Sequence, residues 1–161
     1  MKKNEAFSAD YRSPLGRLHV SGQGSSISGI SMSAAGRLPA GQAGKAGKLP
    51  APVRLALDKY FKGSTHPPRG RFLLKGTPFQ TKVWNTLSSI PWGESISYGE
   101  LARRIKRPKA VRAVANAVGS NPVAILIPCH RVVGSDGSLT GYAYGLKKKA
   151  WLLNHEKMDR G

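Results

Sequence analysis

Ser97-Tyr98-Gly99-Glu100-Leu101-Ala102-Arg103-Arg104-Ile105-Lys106-Arg107-Pro108-Lys109-Ala110-Val111-Arg112-Ala113-Val114-Ala115-Asn116-Ala117-Val118-Gly119 is the stretch on which the architecture turns. Ser97 and Glu100 match the Ser-x-x-Glu capping box, so a short helix is expected from Tyr98 to about Ile105. A second is expected from Pro108 to Gly119. The tight Lys106-Arg107 turn between them gives the pattern of a helix-turn-helix, whose second member is the one presented to DNA. On a helical wheel Val111, Val114 and Val118 share one stripe, while Lys109, Arg112 and Asn116 fall nearly opposite. The valines are expected in the core. Ala113 and Ala117 flank the polar stripe with little bulk, which would let the backbone approach a sugar-phosphate surface with Arg112 projecting furthest. An ordinary amphipathic surface helix would carry the same pattern.

Working upstream, Pro78 suits the first turn of a helix, and Phe79, Val83, Trp84 and Leu87 share a face before Pro91-Trp92-Gly93 ends the element. Val53, Leu57, Tyr60 and Phe61 describe another amphipathic helix, stopped at Gly63. Between residues 10 and 32 short apolar runs such as Arg17-Leu18-His19-Val20 and Ile27-Ser28-Gly29-Ile30-Ser31-Met32 alternate with turn residues, as antiparallel strands do. Arg71-Phe72-Leu73-Leu74 reads as one more strand on that sheet. Residues 34–50 are too poor in large apolar side chains to pack and read as a flexible loop. Ser64 to Gly70, with Pro67-Pro68, reads as a linker. The expectation is an α/β protein: residues 1–75 form a small antiparallel sheet with a helix, and 76–161 a helical module.

The whole chain has 161 residues, enough for one good core or two small modules. Its 26 Lys and Arg against 8 Asp and Glu give a net charge of +18. Such a surface attracts polyanions, nucleic acid first among them, with affinity that falls steeply with salt. A generally basic or ribosome-associated protein would show the same excess. One cysteine excludes an internal disulfide and a cysteine zinc cluster, which fits a reducing, cytoplasmic compartment, or a nuclear one in a eukaryote. Neither a signal peptide nor an apolar run of membrane-spanning length is visible.

Downstream lies Asn121-Pro122-Val123-Ala124-Ile125-Leu126-Ile127-Pro128-Cys129-His130-Arg131-Val132-Val133-Gly134. An apolar approach halts at a proline, and the only cysteine follows, beside two basic residues expected to favour its thiolate. A structural cysteine at a strand end is the plainer alternative.

Pro128-Cys129-His130-Arg131-Val132 resembles the signature of the O6-alkylguanine-DNA alkyltransferases. Gly76-Thr77-Pro78-Phe79-Gln80, Ser97-Tyr98-Gly99-Glu100-Leu101-Ala102, Val111-Arg112-Ala113-Val114, Asn121-Pro122, Gly141-Tyr142 and His155-Glu156 match in order and spacing. Ser13-Pro14-Leu15-Gly16 and Tyr60-Phe61-Lys62-Gly63 extend the likeness more thinly. The resemblance implies an RNase H-like N-terminal sheet domain and a C-terminal domain of winged helix-turn-helix type. It implies repair of O6-alkylguanine, chiefly O6-methylguanine, in double-stranded DNA: the base is flipped out and its alkyl group moves irreversibly to Cys129, in one turnover.

On the same footing, His130 oriented by Glu156 takes the thiol proton through a water, Tyr98 donates to the flipped base, and Asn121 braces the turn before the active-site segment. Arg112 enters the space the base vacates, from a helix lying in the minor groove, with Lys109, Ala113, Asn116 and Arg131 also on the DNA side. Tyr142, Ala143, Tyr144, Val132 and Val118 line the pocket. Tyr144 departs from a usual glycine and is expected to crowd the pocket mouth, weakening bulky substrates while sparing methyl. Ala115 replaces a common glycine on the recognition helix, a change expected to be harmless. No cofactor or metal is expected, His19 and His66 being ordinary surface or strand residues, and the protein is expected to act as a monomer. Two other readings stay open: a damaged-base binding protein without chemistry, and a basic helix-turn-helix regulator whose cysteine is incidental.

Overall fold

The computed structural model describes residues 5–32, 48–64 and 70–158. Most of the loop expected over 34–50 lies outside them, as do Pro67, Pro68 and His66. The fold is mixed α/β, and the chain divides into two compact units. One contains the described residues up to Leu74 together with Pro122–Leu126, and the other contains Lys75–Asn121 and the chain from Ile127 onward.

In the first unit β1 (Ala6–Ser13), β2 (Gly16–Gln23) and β3 (Ser26–Met32) form an antiparallel meander. Period-two alternation puts Ala9, Tyr11, Leu18, Val20, Ile30 and Met32 in the core. The helix α1 (Ala51–Phe61) adds Val53, Ala56, Leu57 and Tyr60, and the Tyr11 hydroxyl donates to Asp58 on it at 2.6 Å. Gly63, at φ 85°, ends that helix in the left-handed conformation glycine adopts without strain. Three details depart from expectation. β1 begins at Ala6, where the mixed run Phe7-Ser8-Ala9 shows little alternation by itself. β4 is only Arg71–Phe72 and runs parallel to β3. Leu49, read as part of the loop, is buried just ahead of α1. The segment after Asn121 also joins this unit: Ile30 N–H donates to Pro122 O at 2.9 Å, and Ala124 N–H to Ile30 O at 3.1 Å.

The second unit contains α2 (Pro78–Leu87), β5 (Ile96–Ser97), α3 (Tyr98–Arg104), α4 (Val111–Gly119), a 3-10 turn (Cys129–Arg131), β6 (Val132–Val133) and α5 (Leu146–Met158). A full capping box starts α2: the Thr77 side chain accepts from Gln80 N–H, and Gln80 Oε1 accepts from Thr77 N–H. Only half of the one expected at Ser97 forms. Ser97 Oγ accepts from Glu100 N–H at 3.0 Å, but the Glu100 carboxylate turns to Arg103 and Arg104. The short strands β5 and β6 pair in parallel, a contact no local pattern announces. Trp84 fills the centre, its Nε1–H donating to Ala117 O at 2.8 Å. A Cβ on Gly76 would sit 2.6 Å from that ring, so the close approach requires glycine.

The helix α4 starts three residues later than expected, leaving Lys109 in the preceding turn. Its buried arc is Val114, Ala117 and Val118, while Val111 is 38% exposed. Trp84 draws the Ala117 side of the helix inward, so the arc is rotated from the all-valine stripe. Arg112, Ala113 and Asn116 are exposed. No helix among the described residues is long and apolar enough to cross a membrane.

Candidate active site

On α5, Lys149, Leu152, Leu153 and Glu156 recur at i, i+3, i+4 and i+7, and all four are buried. Two charged residues on an apolar stripe require partners, because an unpaired buried charge is costly. The 3-10 turn supplies those of Glu156. His130 Nε2 lies 2.5 Å from Glu156 Oε2, and Arg131 Nε donates to Glu156 Oε1 at 2.7 Å. Arg131 also reaches Oε2 at 3.2 Å and Ile90 O at 2.6 Å, with the Trp92 ring 5.9 Å from its guanidinium. The bonds of Lys149 go to backbone: Nζ donates to Val132 O at 2.6 Å and Thr140 O at 2.8 Å.

This geometry orders the proton chemistry. A carboxylate on Nε2 selects the tautomer with hydrogen there, leaving Nδ1 as the basic nitrogen. Nδ1 is buried and has no hydrogen-bond partner among the described residues. Burial drives His130 below its ordinary value despite the Glu156 charge, so the ring rests neutral. Glu156 is itself opposed by burial, yet His130 and Arg131 hold it down at about 2. Cys129 is 8% exposed, and burial pushes its thiol up more strongly than Asn121 and the Lys149 charge pull it down. The resting site therefore holds a protonated thiol and a neutral imidazole, in place of the ready-made thiolate that the neighbouring basic residues suggested. Its cation is Lys149, since Arg131 is committed to the carboxylate.

Asn121 is buried and donates through Nδ2 to Ile127 O at 2.8 Å, tying the end of α4 to the approach to Cys129. Tyr98 donates to Thr140 O at 3.3 Å. Burial raises Tyr98, Tyr142 and Tyr144 alike, Tyr142 most strongly, and a Cys129 thiolate, once formed, raises each further, so all three phenols stay protonated and able to donate. Tyr142 and Tyr144 meet edge to face with ring centroids 5.7 Å apart. Val132 and Val118 are buried and Ala143 is exposed.

One expected DNA-facing residue lies elsewhere: Arg131 is buried with its guanidinium filled by Glu156 and Ile90, and is not on the surface with Arg112. His19, expected to be an ordinary surface or strand residue, is a buried residue of β2. Lys149 escaped the sequence reading altogether. The signal was present, a lysine one turn ahead of Leu152 and Leu153 on the stripe that ends at Glu156.

A family model described as the DNA binding domain of 6-O-methylguanine DNA methyltransferase matches residues 78–158. The chain is 46% identical over 158 residues to the methylated-DNA–protein-cysteine methyltransferase of Haemophilus influenzae, covering 94% of this chain and 88% of that one. It is 41% identical over 150 residues to the protein of that name from Mycobacterium bovis, covering 90% and 88%. Among solved structures, the O6-methylguanine methyltransferase of Mycobacterium tuberculosis superposes with a TM-score of 0.83 at 39% identity, covering 96% of this chain and 94% of that one. The Mycobacterium tuberculosis OGT in complex with DNA gives a TM-score of 0.81 at 38% identity, covering 94% and 93%.

Proposed function

This chain belongs to the O6-methylguanine DNA methyltransferase family, and from that premise we propose that it repairs O6-alkylguanine, chiefly O6-methylguanine, in duplex DNA by taking the alkyl group onto Cys129. The observation that carries the reading is the buried Glu156–His130 pair directly beside the single cysteine.

The reaction is a displacement at the alkyl carbon. His130 Nδ1 receives the thiol proton through a water, and Glu156 stabilises the imidazolium that forms. The sulfur bonds to carbon, the carbon–O6 bond breaks, and its electron pair stays with the guanine. Tyr98 meets that developing charge by donating its hydroxyl hydrogen, which its raised pKa keeps in place. Lys149 faces the thiolate as the nearby cation. The product is a thioether without a good leaving group, so each molecule acts once.

The base must leave the stack first, at a cost of a few kcal/mol. Exposed Arg112 fills the space left behind, and Ala113, Asn116 and Lys109 lie against the backbone. Tyr142, Tyr144 and Ala143 wall the pocket, the Tyr144 ring narrowing it toward small alkyl groups. We read the sheet unit as RNase H-like, the α3–α4 pair as a winged helix-turn-helix, and the working protein as a monomer. The test is repair of a defined O6-methylguanine duplex by the wild type and by Cys129→Ser. Loss of repair in the variant with retained DNA binding supports the reading, and repair by the variant overturns it.

A further inference from the structure

We propose that Arg131 is a positioning residue of the transfer: its guanidinium keeps Glu156 ionised while His130 stays neutral, and so keeps Nδ1 open for the thiol proton. This rests on the alkyl-transfer reading above and adds a residue to it.

The argument is one of buried charge. Arg131 donates to both oxygens of Glu156, at 2.7 Å and 3.2 Å, and is itself held by Ile90 O at 2.6 Å and the Trp92 ring. His130 is fully buried and bonded to the same carboxylate. With the arginine present, carboxylate and guanidinium cancel and the imidazole can stay neutral. A proton added to His130 then leaves a net buried positive charge, which the surroundings resist. Without the arginine, the carboxylate is an uncompensated buried anion. The cheapest way to neutralise it is to take up a proton, and His130, bonded to that carboxylate and the stronger base of the pair by its ordinary value, is the group that holds it. A His130–Glu156 pair already holding that proton cannot accept one from Cys129.

The other groups around the imidazole do not replace Arg131. Lys149 opposes protonation of His130 but spends its hydrogen bonds on Val132 O and Thr140 O. Cys129 and Tyr142 rest neutral, both driven up by burial. The fork geometry matters as well as the charge, because two parallel N–H donors fix the carboxylate plane that in turn aims Nε2.

The test is a pH titration of the His130 ring by NMR of histidine-labelled protein, run on wild type, Arg131→Gln, Arg131→Lys and the double variant Arg131→Gln/Glu156→Gln. The same proteins are assayed for the pH dependence of single-turnover methyl transfer. The expected result is a His130 midpoint in Arg131→Gln raised by about one pH unit or more, with the acid limb of the transfer rate moving alongside. Arg131→Lys keeps the charge and stays near the wild-type midpoint, though its rate falls because the fork is lost, and the double variant, with no buried anion, returns to the wild-type midpoint or below. An unmoved midpoint in Arg131→Gln overturns the proposal even if the rate falls, since a merely structural arginine would lower the rate without moving the titration. Should Arg131→Gln not fold, an Arg131→Lys midpoint raised by a full unit, or a double variant titrating well above wild type, overturns it equally. The NMR readout stands whether or not methyl is transferred, so absence of repair by wild type would count against the proposed function and leave the role of Arg131 decided separately.

Discussion

His19 contacts Ser8 Oγ at 3.0 Å through Nε2 and Asp10 at 3.3 Å through Nδ1, with Arg17 3.6 Å from the same aspartate. His130 contacts Glu156 at 2.5 Å, with Arg131 on that carboxylate at 2.7 Å and Cys129 as its chain neighbour. Each set contains a nucleophile, an imidazole, a carboxylate and a guanidinium. Residue type therefore does not separate them; burial does. Both imidazoles are buried, His130 at 0% and His19 at 8% side-chain exposure, but Glu156 is 1% exposed whereas Asp10 is 24% and Arg17 58% exposed, so it is the burial of the charged partners that differs. Water screens Asp10 and Arg17, so these charges interact weakly and either can be lost at little cost. In the α5 set the low dielectric makes each partner obligatory and moves the proton affinities of Cys129, His130 and Glu156. In the proposed reaction the same cast serves as a proton relay in one place, and in the other it decorates a strand.

The largest expected difference is in rate. Glu156→Gln removes the charge that supports the general base His130 and should lower single-turnover methyl transfer by at least about 100-fold, the usual scale for a disabled general base, while Asp10→Asn changes it by less than about twofold. An equal loss in both would mean that burial is not what distinguishes the sets.

Stability should follow. Glu156→Ala leaves Arg131 as an unpaired buried cation and should cost about 3–5 kcal/mol, against under about 1 kcal/mol for Asp10→Ala at its partly exposed pair. Urea denaturation of both variants measures the contrast.

Acid sharpens it further. His130 sits below its ordinary value of 6.5 in the folded protein, so as pH falls through that range the unfolded chain binds a proton the folded one refuses, and stability drops. Glu156 is lowered from 4.5 to about 2, so the stability it contributes is present above 4.5 and disappears as pH falls from there toward 2. Thermal unfolding followed from pH 7 downward should show both losses in wild type and a smaller second loss in Glu156→Gln.

The smallest effect is expected from Ser8→Ala and Arg17→Ala, each within about 0.5 kcal/mol of wild type.

The comparison also marks how far the sequence could be read. Local periodicity and helix-start signals placed α1, α2 and α3 closely, because Pro78, Ser97 and the apolar spacings act over a few residues. The family motif named Cys129, His130 and Glu156 as a group. Contacts between distant segments stayed hidden: β5 with β6, β4 running parallel to β3, and the Ile30 contact with the segment after Asn121. Side-chain direction was equally illegible. Arg131 beside a cysteine in sequence suggests thiolate activation or a DNA-facing cation, and only the fold shows it turned onto Glu156. Lys149 stood on an apolar stripe whose meaning depended on two carbonyls far from it in the chain. Ala117 and Val111 exchanged core and surface because Trp84 packs from one side.

Counting methyl groups on the protein tests the central claim most directly. After exposure to an excess of duplex carrying O6-methylguanine, peptide mass spectrometry should find a single methyl on Cys129 for each lesion repaired, and repair should stop at one lesion per protein molecule. Repair that continues beyond one equivalent, or repaired DNA alongside an unmodified Cys129, would contradict it.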